Sequence, residues 1–130
     1  MGKLESIRNT SSATVSRRRS IRLSDCPVRT ALNVVGGKWK PLILYFLKDG
    51  TQRYSDLRGR ISEPSEKVLV QQLRELERDG VLERVIYPEV PPRVEYCFSE
   101  YGWTLVPMLR EMAEWGENHR KRELPKTEGR

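Results

Sequence analysis

Side chains that can form hydrogen bonds recur at helical spacing between Ser65 and Gly80. Lys67, Gln71 and Arg74 fall on one side of a helix wound at about 3.6 residues per turn. Glutamine and arginine can each make two hydrogen bonds to an adenine or guanine edge in the major groove of DNA. The spacing therefore favours a base-reading helix. An ordinary surface helix with a solvated polar face is the alternative interpretation.

The same stretch carries the signals of one complete amphipathic helix. Ser65 is a favourable N-cap, and Gly80 can adopt the left-handed conformation that ends a helix. Leu69, Leu73 and Leu76 form an apolar stripe on the side opposite the polar residues. We therefore expect the leucines to be buried and the polar row to face outward.

The residues that follow this helix predict a two-stranded hairpin. On the returning strand, Val94, Tyr96 and Phe98 alternate with polar residues. Segment 88–92 contains three prolines, which cannot donate to a strand ladder, so a stiff loop is expected there. Arg93 follows this loop, where it could reach a phosphate or the minor groove. Helix, hairpin and a further helix form the order of a winged helix-turn-helix domain.

The residues before Ser65 predict the elements that pack beneath the helix. In WKPLILYFLKDG, a core helix is expected to bury the apolar residues Leu42, Ile43, Phe46 and Leu47. Residues 52–54 are predicted to form a short strand against the hairpin.

Ser55 is then predicted to cap a brief helix, SDLRGRI. This is the first helix of the expected helix-turn-helix, and Arg53 and Arg58 could contact backbone phosphates there. Ordinary solvation explains either arginine equally well.

Several of these runs together resemble the HxlR family of bacterial winged helix-turn-helix transcriptional regulators, which are similar to MarR proteins. The runs are CPVRTALNVVGGKWKPLILYFL, RYSDLRGRI, KVLVQQLRELERDGVLERVIYPEVPPRVEY and MAEWGENH. The resemblance implies an α+β fold that is mostly α, with a two- to three-stranded wing. It also implies an added N-terminal helix and a long C-terminal helix for dimerisation.

Two positions depart from the family pattern. Val70 stands where members usually carry Ser or Thr, and Pro64 stands where they usually carry Ile. Val70 lies near the polar side of the helix, so it could meet a thymine methyl group instead of donating a hydrogen bond. The base preference of other members therefore does not transfer to this chain.

Cys26 precedes Pro27, which is well placed to begin a helix that runs to Val35. A helix N-terminus stabilises a thiolate, and Arg22 and Arg29 lie close in sequence. The resemblance implies that a cysteine in this CP motif senses oxidants or reactive carbonyls in some members. A sensor role and a structural role are both left open for Cys26.

The second cysteine, Cys97, is interpreted as a small, partly buried residue of the returning strand. Two cysteines without a CxxC spacing predict neither a metal site nor a secreted disulfide scaffold, and no cofactor motif is present. With one histidine near the C-terminus, no catalytic residues can be assigned, so an enzyme is not expected.

The segment from Ser99 onward predicts a long helix with more apolar surface than a small core needs. Its large apolar residues are Trp103, Leu105, Met108, Leu109, Met112 and Trp115. We therefore predict a homodimer in which this helix and the Cys26 helix pack against their partners. Two-fold symmetry would then place two base-reading helices about 34 Å apart on an inverted repeat.

Length and charge bound the organisation of the chain. The 130 residues suit one domain, with an excess of six positive charges, and no run is apolar enough for a membrane span. Residues 1–25 carry a net charge of +4 and predict a flexible basic arm, which either tracks phosphates or is a solvated tail. A winged-helix domain over 26–124 and a tail over 125–130 complete the expected division. A cytoplasmic protein without a membrane partner is expected.

These observations predict a transcriptional regulator that binds double-stranded DNA sequence-specifically as a homodimer on an inverted repeat. The predicted DNA-binding residues of the recognition helix are Ser65, Lys67, Val70, Gln71 and Arg74. The further predicted partner is a small molecule, an oxidant or an electrophile, which would control the activity of the regulator. A winged-helix module for protein association, without specific DNA binding, is the alternative.

Overall fold

The structure, a computed structural model, describes residues 20–128, with side chains from 20 to 123. Residues 1–19 of the predicted basic arm lie outside the described residues. The chain divides into two compact units, Met1–Asn33 and Val34–Arg130. In the first, a short 3-10 helix (Leu23–Asp25) leads to Cys26, and α1 (Pro27–Val35) begins at the following proline. The bounds predicted for this helix are confirmed.

The second unit contains four helices and a three-stranded sheet. Its elements are α2 (Lys40–Leu47), β1 (Gln52–Arg53), α3 (Tyr54–Arg60), α4 (Glu66–Arg78), β2 (Leu82–Tyr87), β3 (Arg93–Phe98) and α5 (Val106–Glu128). The sheet is antiparallel with the order β1-β3-β2. The prediction of a mostly α winged helix-turn-helix with a short strand joined to the hairpin is confirmed.

Helix α4 has the caps and the buried face that its sequence predicts. The Ser65 hydroxyl accepts a hydrogen bond from the Val68 amide at 3.1 Å. Gly80 follows with φ of 80°, a conformation that costs glycine little. The three leucines Leu69, Leu73 and Leu76 are completely buried, and they join a core formed with α2, α3, the sheet and the start of α5.

The wing is a regular antiparallel pair with six residues in each strand. Its register runs from Leu82 opposite Phe98 to Tyr87 opposite Arg93. Strand β1 adds to the other edge of β3, with Gln52 opposite Tyr96. Tyr96 and Phe98 are buried as their alternation predicts, because both side chains leave the same face of the sheet.

Two local predictions about the helices before α4 were wrong. Leu42 is 38% exposed, and the buried stripe of α2 contains Leu44 instead, because α2 is turned so that Lys40 and Leu44 lie inward. Ser55 does not cap α3. That helix begins at Tyr54, directly after the strand residue Arg53, so Ser55 already lies within the first turn.

The expected helix after Ser99 begins with a 3-10 segment (Gly102–Leu105) before α5. The Ser99 hydroxyl accepts from the Gly102 amide at 2.8 Å and donates to the Gly80 carbonyl at 2.6 Å. A Cβ atom at Gly102 would lie only 2.0 Å from the Val81 carbonyl oxygen. This junction therefore requires glycine, because the neighbouring atom belongs to the backbone and cannot turn away.

We expect Gly102→Ala to lower the free energy of unfolding by about 1 to 3 kcal/mol, since the added methyl group must displace backbone at Val81. Urea unfolding at one fixed protein concentration measures the effect. Gly59→Ala is the matched control, because no atom lies within 4 Å of a Cβ at Gly59. Equal unfolding midpoints for the two variants would contradict the close approach at Gly102.

Candidate nucleic-acid interface

The outward side of α4 carries a row of polar side chains. Lys67, Gln71 and Arg74 are all exposed, and Arg78 continues the row at the C-terminal end. Val70 beside them is half-buried. The row therefore projects from a helix whose opposite face is fixed in the core, which is the arrangement of a major-groove reader.

An ion pair between a buried lysine and a partly exposed glutamate lies beside the polar row. The Lys40 ammonium of α2 is 2.6 Å from Glu75 Oε1 of α4, and Lys40 is only 7% exposed. The hydrogen bond from Lys40, together with its positive charge, holds the pKa of Glu75 below its ordinary value of 4.5. The other carboxylate oxygen of Glu75 accepts from the Gln71 amide at 3.4 Å. Sequence analysis missed this set, since a lysine beside an apolar run usually lies on the surface.

Arg74 is exposed, and it influences the buried Tyr96 of the neighbouring sheet electrostatically. Burial is the main cause that raises the pKa of Tyr96, and the Arg84 charge opposes it. The positive charge of Arg74 is one of the smaller causes that lower the pKa of Tyr96. Arg84 also pairs with Glu77 of α4 at 3.4 Å. Polar contacts therefore link the C-terminal half of α4 to the wing.

The turn between α3 and α4 is held by side chains of the two helices. Arg58 is half-buried, and its Nη1 donates to the Pro64 carbonyl. The Tyr54 hydroxyl donates to Glu66 Oε2 at 3.3 Å, and burial followed by the Glu66 charge raises the pKa of Tyr54. Arg58, predicted from sequence to contact a phosphate, thus has a partner within the protein. Arg53 on β1 is exposed.

Arg93 lies at the base of the wing loop among several partners. Its guanidinium is 3.5 Å from Glu89 and 3.4 Å from Glu95, and it stacks over the Tyr87 ring at 4.0 Å from the centroid. A cleft of about 380 Å³ separates this loop from Arg53 and the start of α3. Arg53 and Arg93 both line it, together with the carboxylate of Glu89, which pairs with Arg93.

Both cysteines are free thiols. Cys26 is partly exposed, and its carbonyl accepts from the Thr30 amide at 3.0 Å, so the thiol lies at the N-terminal end of α1. Cys97 is half-buried, and burial, then the nearby Glu83, raise the pKa of its thiol. Cys97 therefore stays protonated at neutral pH. Among the described side chains, those of residues 20–123, no three metal-binding groups lie closely enough together to hold an ion.

Apolar surface remains uncovered on α2 and α5. Met112 and Trp115 of α5 are 46% and 67% exposed, and Tyr45 of α2 is 43% exposed. A groove of about 560 Å³ runs between the two helices, lined in part by Leu42, Tyr45, Leu109 and Met112. Charged residues, among them Lys38, Glu117 and Arg120, also line the groove. No helix in the described part of the chain combines the length and apolarity required to cross a membrane.

Comparisons with known proteins agree with this geometry. A family model for HxlR-like helix-turn-helix proteins matches residues 34–124. The chain is 47% identical over 97 residues to YdeP of Bacillus subtilis, an uncharacterized HTH-type transcriptional regulator, and the match covers 75% of this chain and 76% of YdeP.

Two solved structures share the fold. The redox regulator HypR in its oxidized form is 45% identical, with a TM-score of 0.68, and the match covers 72% of this chain and 96% of HypR. The reduced form of the transcriptional regulator YodB from B. subtilis is 34% identical, with a TM-score of 0.61, and the match covers 71% of this chain and 91% of YodB.

We expect the Lys40–Glu75 pair to make the free energy of unfolding depend on pH in the acidic range. Because the pKa of Glu75 is lowered in the folded protein, its contribution is complete above about pH 4.5 and is lost as the pH falls through the folded value. Lys40→Met removes this contribution, so the gap in unfolding free energy between wild type and variant should narrow from about pH 6 to about pH 3.

Urea unfolding across this pH range measures the gap. Lys48→Met is the control, since Lys48 pairs with the exposed carboxylate of Asp49 at 3.3 Å and lies over the exposed Tyr45 ring, and such surface contacts contribute little. A gap for Lys40→Met that stayed constant with pH would contradict the coupling to Glu75.

Proposed function

The chain belongs to the HxlR-like helix-turn-helix family and is a transcriptional regulator, and we propose that it binds an inverted repeat in double-stranded DNA as a homodimer. The observation that carries the proposal is the exposed row Lys67, Gln71 and Arg74 on a helix whose other face is completely buried. A helix fixed in this way can enter the major groove with little loss of conformational freedom.

Within the row, we assign base contacts to Lys67, Gln71 and Arg74, and contact with a thymine methyl group to Val70. The N-terminus of α4 at Ser65 presents backbone amides and the positive end of the helix dipole, which suit a phosphate. In the resulting orientation, the N-terminal half of α4 lies in the groove, as in other helix-turn-helix proteins.

Phosphate contacts are assigned to Arg53, Arg58 and Arg93. Arg53 is exposed and has the freest access. Arg58 retains N–H groups beyond the one that holds Pro64, and it fixes the turn between the two helices at the same time. Arg93 would exchange a glutamate partner for a phosphate, so its contact depends on movement of the wing loop.

The uncovered apolar side chains of α5 and α2 support dimerisation, because a monomer would leave them in water. Helix α1 adds exposed Val28 and Leu32, and we include it in the interface. A two-fold dimer would set the two α4 helices about one DNA turn apart. The basic arm over residues 1–25 would then track the adjacent phosphates.

Regulation through Cys26 is the second part of the proposal. The thiol is partly exposed at the N-terminal end of a helix, and a regulator similar to this chain, HypR, is named a redox regulator. We propose that an oxidant or an electrophile modifies the Cys26 thiol and changes the spacing of the two α4 helices. Domain 26–124 would carry both the sensor and the DNA-binding surface.

Selection of bound sequences from a random DNA library tests base reading. We expect Gln71→Ala to lose preference at one base position of each half-site, where a pair of hydrogen bonds gives about 1 to 3 kcal/mol of discrimination. Gln72→Ala, the next residue and partly buried, is the matched control and should leave the selected sequence unchanged. Identical sequence preferences for wild type and Gln71→Ala would refute the assignment.

The same assay at two salt concentrations separates DNA binding from the protein-association alternative. Phosphate contacts make the affinity for DNA fall steeply as the salt concentration rises. Association through an apolar surface does not weaken in this way. Selective, salt-sensitive binding supports the regulator, and binding without any sequence preference favours the association module.

For Cys26, we expect mild oxidation to change operator affinity by about tenfold or more in the wild type, since a shift in half-site spacing removes contacts from one half of the dimer. Fluorescence anisotropy with labelled operator measures the change. Cys97→Ser is the control, and it should respond like the wild type because the Cys97 thiol stays protonated. A Cys26→Ser protein that responded to oxidant like the wild type would contradict the sensor role.

A further inference from the structure

Three side chains form a continuous chain of contacts from the core to the outer surface of α4. Lys40 is buried in α2, its ammonium lies 2.6 Å from Glu75 Oε1, and Glu75 Oε2 lies 3.4 Å from Gln71 Nε2. Gln71 is exposed in the middle of the polar row. A buried cation is thereby connected, through one carboxylate, to the side chain assigned to read a base.

The carboxylate determines which way the Gln71 amide faces. An ionised carboxylate only accepts hydrogen bonds, so the NH₂ group of Gln71 must point toward Glu75 and Oε1 must point away. The NH₂ group has two hydrogens. When one binds Glu75, the other remains beside Oε1, and the two atoms form a donor and an acceptor side by side. Adenine presents the complementary pair, N7 as acceptor and N6–H as donor, in the major groove.

The positive charge of Lys40 compensates the negative charge of Glu75 beside the polar row. A bare glutamate beside the base-reading row would repel DNA phosphates and would favour a turn of its side chain into solvent. The ammonium beneath it neutralises the charge and holds one oxygen, which leaves the other oxygen directed at Gln71. The lysine is itself held, because α2 packs against α4 and only 7% of Lys40 is exposed.

We propose that Lys40 and Glu75 are positioning residues that orient the Gln71 amide and so determine which base this protein prefers at one position of its operator. The inference rests on the proposed function, since it assumes that α4 reads DNA. Neither residue touches DNA in this proposal, and both act through Gln71. Specificity at one base would therefore depend on a residue of another helix.

A double-mutant cycle on sequence preference tests the inference. The position read by Gln71 is first located with Gln71→Ala, and the affinity is then measured for operators with each of the four bases at that position. Glu75→Gln replaces the acceptor by an amide that can also donate, so Gln71 is no longer forced into one orientation. We expect this variant to lose about threefold to tenfold in discrimination at that base.

The cycle separates positioning from a general effect on the fold or the charge. In the Gln71→Ala background, Glu75→Gln should cause no further loss of discrimination, because the residue it positions is gone. Glu77→Gln is the matched control, since it removes one negative charge from the same helix at a residue that pairs with Arg84. It should leave the base preference unchanged. Lys40→Met should reproduce the loss of base discrimination seen with Glu75→Gln. If the Lys40→Met protein does not fold, the Glu75→Gln variant alone decides the test.

The outcomes distinguish this inference from the proposed function. If Glu75→Gln reduces discrimination equally with and without Gln71, or if Glu77→Gln has the same effect, positioning by Glu75 is overturned while base reading by α4 stands. If the wild type prefers no sequence, or if Gln71→Ala changes no preference, base reading by Gln71 fails and the inference fails with it.

Discussion

The burial of one leucine stripe determines most of this structure. Leu69, Leu73 and Leu76 of α4 are completely shielded from water by α2, α3, the sheet and the first turn of α5. Because burial of each such side chain contributes about 1.5 to 3 kcal/mol, the helix cannot rotate about its axis without losing a large share of the core. The outward direction of the polar row is a consequence of this packing and requires no separate interaction.

The parts of the molecule that follow from local patterns were predictable from the sequence. The caps of α4, its leucine stripe and the alternation of the returning strand each depend on residues that are near in sequence. The face of α2 was not predictable in the same way, because its run of apolar residues is nearly continuous and gives no clear period. Only packing against α4 and β3 distinguishes Leu44, which is buried, from Leu42, which is half-exposed.

Polar networks account for what sequence analysis missed in the candidate site. Sequence analysis made no assignment for Lys40 and expected Arg58 and Arg93 to contact DNA. In the structure each of the three cations is bound to a partner within the protein. The distinction between a cation that is free to meet DNA and a cation that holds the protein together depends on those partners. The spacing of Lys67, Gln71 and Arg74 was sufficient to find the exposed row, because a single helix determines it.

The junction at Ser99 has a mechanical consequence. One hydroxyl joins the end of α4 at Gly80 to the first turn leading into α5, and the missing side chain of Gly102 lets the Val81 backbone lie against that turn. A joint packed on backbone atoms has little freedom to bend, so we expect α5 and the base of the wing to move together. In the proposed dimer, a change of angle between the two α5 helices would then change the positions of the DNA-binding elements by a similar amount. The tolerance of the protein for operators with altered half-site spacing would accordingly be narrow.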